Sequence, residues 1–303
     1  MNGVSEKRIL WMSVIAAILF SVAGVTLGLL FDSQMILFDG LYSFISVGLS
    51  YISLAALKFM NQSDWEKYPF GKDMLEPIVI LVKYTVILLL VTGSILAAAV
   101  SLFQGGRDFQ VGPAFLYAAV SMAACLGVYV YLRKKSHTGS SLVRAEANQW
   151  MMDSLVSVGV FIGFLGALVL QRFGYQGIVP YIDPVMVMLV SLYFLKFPLK
   201  EMKNAWKEVL EMAPEDNVRE RVQEKVAEIE KQHKIEESFI RISRVGRTIW
   251  VEIDLVAGSD PSLESLSVQD NVREKIAEVL EGTAPKKWLT VCFMKDRRWA
   301  VEE

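Results

Sequence analysis

Two apolar stretches of the chain are each interrupted by an acidic residue that is followed, three and seven positions later, by further polar residues. The six residues are Asp39, Tyr42 and Ser46 in "FDGLYSFIS", and Glu146, Gln149 and Asp153 in "RAEANQWMMD". These spacings place each set on one face of a helix. Ionisable groups are costly in lipid unless they are used or paired, and facing polar stripes are how helix bundles build ion sites. The sequence therefore predicts a site for a cation or a proton.

Structural roles for single members of the two stripes are the competing interpretation. Asp39 could bond to hydroxyl groups of a neighbouring helix. Tyr42 and Ser46 could pack between helices, and Glu146 could lie in water at the membrane surface. The repetition of one spacing in two stretches favours the ion site, because a single stripe arises often by chance.

A lysine stands inside a third apolar stretch. Lys83 lies in "EPIVILVKYTVILLL", seven residues beyond Glu76 and on the same helical face. Its amine either reaches back to the membrane surface or turns inward and pairs with Asp39 or Asp153, and both interpretations stay open. Lys83, Glu76 and Glu146 are therefore candidates for gating or for an internal counter-charge.

Six apolar segments would have to position these residues. Of the 303 residues, 53% are hydrophobic, and the long apolar runs fall within residues 1–200. A membrane span needs about 20 mostly apolar residues. The predicted transmembrane helices cover residues 9–31, 35–58, 76–103, 111–132, 147–171 and 178–199. The first is interpreted as a retained helix, because it is too long for the core of a signal peptide and lacks a small-residue cleavage pattern.

Lysine and arginine residues are unevenly divided between the two sides of these spans. One side carries nine of them in its short loops and ends, whereas the other carries only Arg107 and Arg172. Cytoplasmic loops are the ones enriched in these residues. The bias predicts a protein of the plasma (inner) membrane with both termini in the cytoplasm.

Five further side chains with versatile chemistry are assigned structural or surface roles. Asp183, in "YIDPVMVM", is predicted to cap a helix at the outer surface. Cys125 falls in a predicted span and Cys292 in a predicted strand, so no disulfide is expected. His137 and His233, the two histidines of the chain, are interpreted as solvated loop residues.

The tail of the chain reads as a small α/β domain. Two amphipathic helical patterns, "EDNVRERVQEKVAEIEKQ" and "LESLSVQDNVREKIAEVLEG", alternate with the strand patterns "ESFIRISRVG", "RTIWVEIDLVAG" and "KKWLTVCFMKD". The order α-β-β-α-β predicts a ferredoxin- or metallochaperone-like sheet covered by two helices. We thus predict a six-helix transmembrane transport domain over 1–203 and a cytoplasmic dimerisation or regulatory domain over 204–303.

Taken together, these features resemble the cation diffusion facilitators over nearly the whole chain. The resemblance is carried by "YPFGKDMLEP" before the third span, "RAEANQWMMDSLVSVGVFIG" into the fifth, "YIDPVMVM" opening the sixth, "VLEMAPE", and the tail. It implies a homodimeric metal/proton antiporter in the lipid bilayer, joined through the cytoplasmic domain and transmembrane helices. A transported divalent cation is possible and no resident cofactor is implied.

The resemblance also implies a transport site of two residue pairs, one on the second helix and one on the fifth. By position these pairs fall on Tyr42 with Ser46 and on Gln149 with Asp153. Of the four, only Asp153 is a usual ligand of a divalent transition metal, although Asp39 keeps the family's preceding acid. Zinc prefers imidazole, thiolate and carboxylate ligands, so the altered site, built on Asp153 and Asp39, disfavours zinc.

Two other metal positions of the family also depart from the pattern. Some members bind a second metal before the third helix, where this chain has "NQSDWEKYPFGKDM", without histidine and with Lys72 after "FG". Many members carry a metal cluster in the tail, and its histidine positions fall here on Ser238, Asp254 and Ser267. Neither location is expected to bind metal as it does in those members.

The function predicted from these observations is proton-coupled export of a cation from the cytoplasm. The alternative is a non-transporting relative that acts as a dimer partner or regulator of an active transporter, with Lys83 in the vacated ion site. An enzyme is not predicted, because the chain has no phosphate-cradling glycine loop, nucleophile–base pattern or metal-hydrolase motif. No nucleic-acid partner is predicted.

Overall fold

The computed structural model describes the backbone of residues 3–62, 64–136, 141–214, 217–258, 261–284 and 286–301. Within these ranges, the side chains of residues 3–11, 50, 53, 54, 57, 135, 136, 141–146, 148, 149 and 152 lie outside the description. His137 lies outside the described residues, so its predicted solvated position is not tested.

Long helices form the first two thirds of the described chain. They are α1 (Gly3–Leu30), α2 (Gln34–Met60), α3 (Leu75–Phe103), α4 (Val111–Ser136), α5 (Ser141–Arg172) and α6 (Val179–Val209). Five contain a stretch long and apolar enough to cross a membrane, namely Met12–Leu30, Leu75–Phe103, Val111–Lys134, Asp153–Arg172 and Val179–Val209. The continuous apolar stretch described in α2 is shorter, Gln34–Leu49. The prediction of a helical membrane protein is confirmed, whereas a count of six spans stays a prediction.

The chain forms two compact units. One comprises Met1–Leu54 with Lys83–Lys200, and the other comprises Ala55–Val82 with Glu201–Glu303. The end of α2, the start of α3 and the loop between them therefore pack with the C-terminal residues. The functional division at residue 203 stays a prediction.

Helices α1 and α2 approach each other closely enough for their backbones to touch. A Cβ atom added to Gly40 would lie 2.3 Å from the nitrogen of Val25, and one added to Gly28 would lie 2.5 Å from the nitrogen of Leu37. Small residues allow such approach in membrane proteins, where helix association depends on close packing rather than on the hydrophobic effect. Glycine is thus required at these positions by the neighbouring helix.

Asp183 is fully buried and caps a helix other than its own. Its carboxylate accepts hydrogen bonds from Ser33 Oγ (2.6 Å), from the amide of Gln34 (2.7 Å) and from the amide of Met35 (3.2 Å). Ser33 Oγ in turn accepts a hydrogen bond from the amide of Ile36 (3.3 Å). The prediction of a cap at the outer surface, where the sixth span opens, was wrong in both respects: Asp183 lies within α6, caps the start of α2 and is buried.

The second unit contains a three-stranded sheet with helices on one face. Its elements are α7 (Val218–His233), β1 (Glu237–Val245), β2 (Thr248–Val256), α8 (Leu266–Val279) and β3 (Lys286–Met294). The predicted order α-β-β-α-β is confirmed. Strand β2 is central, antiparallel to β1 and parallel to β3. The ferredoxin-like classification stays a prediction.

Alternation along β2 separates a helix-covered face from an open face. Ile249, Val251, Ile253 and Leu255 are at most 1% exposed and belong to the core that α7 and α8 cover. Every second residue of β2, beginning with Thr248, therefore lies on the opposite, open face of the sheet.

Replacing Gly40 by alanine should lower the free energy of unfolding by about 1–3 kcal/mol, the usual cost of overpacking. The added methyl group has no space beside Val25. Gly48→Ala is the matched control, because it lies in the same helix and a Cβ there meets nothing within 4 Å. Thermal unfolding of the purified protein in detergent measures both, and equal midpoints would contradict the close contact of α1 and α2.

Asp183→Ala should also destabilise the fold, by about 1–3 kcal/mol, because a buried hydroxyl and two amides lose their acceptor. The control is Asp108→Ala, which changes an exposed carboxylate. Circular dichroism melting curves report the difference. A midpoint for Asp183→Ala that matches the control would rule out the capping role.

Candidate ion site

The structure brings two of the predicted carboxylates within electrostatic range of each other. Asp39 on α2 and Asp153 on α5 are both half-buried, and their charges interact. Like charges repel more strongly in a low-dielectric environment than in water. A cation bound between the two carboxylates, or a proton on one of them, would remove this repulsion.

Tyr42 contributes a phenol to the same place while its ring packs between two helices. The phenol lies within electrostatic range of Asp153 and Asp39. Its ring meets Phe194 of α6 edge to face at 5.0 Å between centroids, and Phe38 at 6.3 Å. An aromatic contact therefore occupies a position where the family resemblance implies a metal ligand.

The remaining members of the two stripes are less completely defined. Ser46 is half-buried on α2, one turn beyond Tyr42. The backbones of Glu146 and Gln149 belong to α5, but their side chains lie outside the described residues. Their predicted roles are not tested.

Helix α4 adds a polar stripe that sequence reasoning missed. Tyr117, Ser121 and Cys125 repeat at intervals of four and are buried. Cys125 Sγ accepts a hydrogen bond from Ser157 Oγ at 3.6 Å. Ser157 lies on α5, one turn after Asp153. The interval was visible in "YAAVSMAAC", but small polar residues of this kind are also common where membrane helices pack, so the signal alone was weak.

Cys125 and Tyr117 both interact electrostatically with Asp39, and Cys125 also interacts with Asp153. Tyr84 of α3 interacts with the phenol of Tyr42. Side chains of α3 and α4 therefore lie within electrostatic range of the α2 and α5 residues, whereas the sequence predicted a site from two helices.

The two other predicted ionisable residues have different surroundings. Lys83 is half-buried and its nitrogen lies 5.9 Å from the ring centroid of Tyr84. Glu76 belongs to the second unit, where its Oε2 lies 3.5 Å from Arg247 Nε. Gating or counter-charge roles for both residues stay predictions.

No group of three histidine, cysteine, aspartate or glutamate side chains in metal-binding geometry occurs among the described residues. The tail positions implied by the resemblance have protein partners instead. Ser238 Oγ donates to Glu230 Oε1 (2.5 Å), and Arg241 donates to the carboxylate of Asp254 (2.5 Å). Ser267 shares a hydrogen bond with Ser265.

Cys292 and His233 supply the thiol and the imidazole of the tail, which are the side-chain types that transition metals prefer. Burial, followed by the negative charges of Asp254 and Glu252, raises the pKa of the Cys292 thiol above its usual value. A protonated thiol is a poor metal ligand. His233 is the last residue of α7 and only 8% exposed, so its predicted position in a solvated loop was wrong.

Apolar helices long enough to span a membrane, followed along the chain by a small α/β domain, define an integral membrane protein. Residues 10–210 match the family model described as the cation efflux transmembrane domain. The chain belongs to this family, the cation diffusion facilitators.

Characterised relatives are distant in sequence but extensive in coverage. The magnetosome protein MamM of Magnetospirillum gryphiswaldense is 23% identical over 92% of this chain and 83% of its own length. The zinc transporter ZitB of Yersinia pestis is 27% identical over 70% of this chain and 65% of its own. The manganese efflux system protein MneP of Bacillus subtilis is 25% identical over 64% and 65% respectively.

Proposed function

We propose that this protein is a proton-coupled cation exporter in which Asp153 and Asp39 carry the cation or the proton. The observation that supports this most directly is the pair of carboxylates from α5 and α2 with interacting charges inside the membrane unit. Exchange of a cation for a proton on such a pair keeps the site from holding two uncompensated charges. Gln149, Tyr42 and Ser46 would line the same path.

The side chains assigned to this site, Asp39, Tyr42, Ser46, Gln149 and Asp153, all offer oxygen donors. Hard cations such as Mn²⁺ and Mg²⁺ prefer carboxylate, carbonyl and water oxygens, whereas zinc is best served by imidazole and thiolate with carboxylate. One relative is named a manganese efflux protein and another a zinc transporter. The donor set here favours a hard cation and disfavours zinc.

The membrane arrangement that accompanies this function has six spans, with both termini and the α/β domain in the cytoplasm of the plasma membrane. The excess of lysine and arginine on one side of the spans supports this orientation. A homodimer joined through the α/β domain and the transmembrane helices is the assembly that the family resemblance supports.

Asp153→Asn and Asp39→Asn should each reduce cation uptake by inverted membrane vesicles about tenfold or more, the factor that corresponds to ~1.4 kcal/mol of lost binding. Asparagine keeps the size of the side chain but removes its charge. Asp108→Asn, at an exposed position, is the control for charge loss elsewhere. Uptake is measured for Mn²⁺, Mg²⁺, Fe²⁺, Co²⁺, Zn²⁺ and Na⁺ with an imposed proton gradient.

The same assay can refute the assignment of the ion site. If Asp153→Asn transports as well as the parent, the carboxylate does not carry the ion. If Zn²⁺ is the best substrate of the parent, the argument from donor type is wrong, although the class of protein is not.

A second candidate function, a non-transporting dimer partner or regulator, is supported by the ring contact of Tyr42 with Phe194. A ligand position used for helix packing suits a protein that has lost transport. Absence of uptake for every ion by a folded, purified dimer, together with co-purification with a complete family member, would favour it. Recovery of metal binding in Lys83→Ala would place the lysine in the vacated site.

A further inference from the structure

Tyr117 of α4 places a buried hydroxyl beside the junction of α1 and α2. Tyr117 is 9% exposed, and its ring centroid lies 6.3 Å from that of Phe20. A Cβ atom added to Gly24 would lie 3.0 Å from Tyr117 Oη and 2.7 Å from the Cα atom of Gly40. Gly40 follows Asp39 directly in the chain. Because Gly24 has no side chain, the phenol oxygen lies close to the backbone that carries Asp39.

Within the described part of the chain, the hydroxyl of Tyr117 has no direct hydrogen-bond partner, although it is buried. Ser121, one turn further along α4, lies near it without the geometry of a direct hydrogen bond. A buried polar atom without a partner costs free energy. Ordered water is a usual way in which such atoms are satisfied, and it bridges polar groups that are too far apart to bond directly. The hydroxyl thus indicates a position for bound water.

Polar groups continue from this hydroxyl along one face of α4. Ser121 and Cys125 follow Tyr117 at intervals of four residues and are 6% and 1% exposed. Cys125 Sγ accepts the hydrogen bond of Ser157 Oγ, and Ser157 is 6% exposed. From Tyr117 to Cys125 the helix rises about 12 Å. We call Tyr117, Ser121, Cys125 and Ser157 the polar line.

Both carboxylates of the proposed ion site lie within electrostatic range of the polar line. Asp39 is in range of Tyr117 and of Cys125, and Asp153 is in range of Cys125. Asp153 also precedes Ser157 by one turn of α5. Water beside Tyr117 would have the phenol, the serine one turn away and the Asp39 carboxylate as neighbours. Buried water needs two to four polar partners of this kind.

The polar line begins near the outer end of α4 in the proposed orientation. Tyr117 is six residues after Val111, the first residue of α4, and six residues correspond to about 9 Å of helix. The loop before α4 carries Arg107 and belongs to the side with few lysines and arginines, which is the outer side. The polar line therefore leads inward from near the outer surface.

We propose that the polar line binds a chain of internal water molecules that joins the outer side of the membrane to Asp39 and Asp153. Its use as the route for protons rests on the proposed function. In each step an oxygen accepts a proton on one side and releases its own on the other, so that one O–H bond forms as another breaks. The net change is one proton gained by a carboxylate and one lost by water on the outer side.

Bound water is tested by radiolytic footprinting of the full-length protein in lipid nanodiscs. Radiation converts bound water to hydroxyl radicals, which modify the side chains beside it, and mass spectrometry locates the modified residues. Tyr117 and Cys125 should be modified, whereas Phe164, which is fully buried in an apolar core, should not. Tyr117→Phe should lower the modification of Cys125, because it removes one partner of the water.

Two footprinting results would overturn the proposal. If Tyr117 and Cys125 stay as unmodified as Phe164, the polar line is dry. If Phe164 is modified as fast as Tyr117, the radicals enter the whole unit and the polar line is not a distinct path.

Proton delivery has a separate readout in proteoliposomes that contain a pH-sensitive dye. Tyr117→Phe should slow the proton movement driven by a Mn²⁺ gradient about tenfold or more, since positioned proton-transferring groups typically contribute larger factors. Equilibrium binding of Mn²⁺ should stay unchanged, because both carboxylates are kept. Tyr131→Phe is the matched control, since Tyr131 lies on the same helix and is 38% exposed.

Thermal unfolding separates proton delivery from a packing role. Tyr117→Phe should melt at or above the midpoint of the parent, because it removes only a hydroxyl without a direct partner among the described residues. If folded Tyr117→Phe moves protons as fast as the parent, delivery along the polar line is refuted. If the parent moves neither Mn²⁺ nor protons, the proposed function fails, and footprinting still decides whether the polar line holds water.

Discussion

Helix α2 is held at both ends by buried charges that come from outside the helix. At the N-terminus of α2, the carboxylate of Asp183 accepts hydrogen bonds from the amides of Gln34 and Met35. At the C-terminus of α2, Lys72 donates hydrogen bonds to the carbonyl oxygens of Phe59 and Gln62. The sign of each charge matches the partial charge of the helix end that it meets. These contacts fix where the helix begins and ends, and the helix in turn carries Asp39, one of the two carboxylates of the proposed ion site.

A common pattern links the two regions outside the transport site where the family resemblance implies metal ligands. In the loop before α3, Lys72 and Asp73 bind the end of α2 and the sheet. In the tail, Ser238 binds Glu230 and Asp254 binds Arg241. Polar groups buried without a partner are costly. Protein partners that satisfy these groups make the loop and tail independent of a metal for their structure.

Much of the architecture was predictable because it depends on periodicity along the chain. The apolar runs predicted the long helices, and the alternation around Gly246 predicted the hairpin. The spacing of Asp39 and Asp153 within their stretches predicted that they lie on helix faces. Such patterns are local, and each can be recognised without knowledge of the rest of the fold.

The features that were missed depend on contacts between distant parts of the chain. "YIDPV" indicated a cap, but Asp183 meets Ser33, which is 150 positions away. The buried position of His233 and the docking of Asp73 on Thr248 likewise depend on partners that no local pattern names. Tertiary contacts decide these placements, because a polar residue suits either water or a buried partner.

The contact of Gly24 and Gly28 with the backbone of α2 limits which motions the membrane unit can undergo. Two helices whose main chains touch have no layer of flexible side chains between them that could absorb sliding. Helices α1 and α2 would therefore move together as one rigid body. On the proposed function, a change of access to Asp39 would then move α1 together with α2 rather than slide one helix past the other.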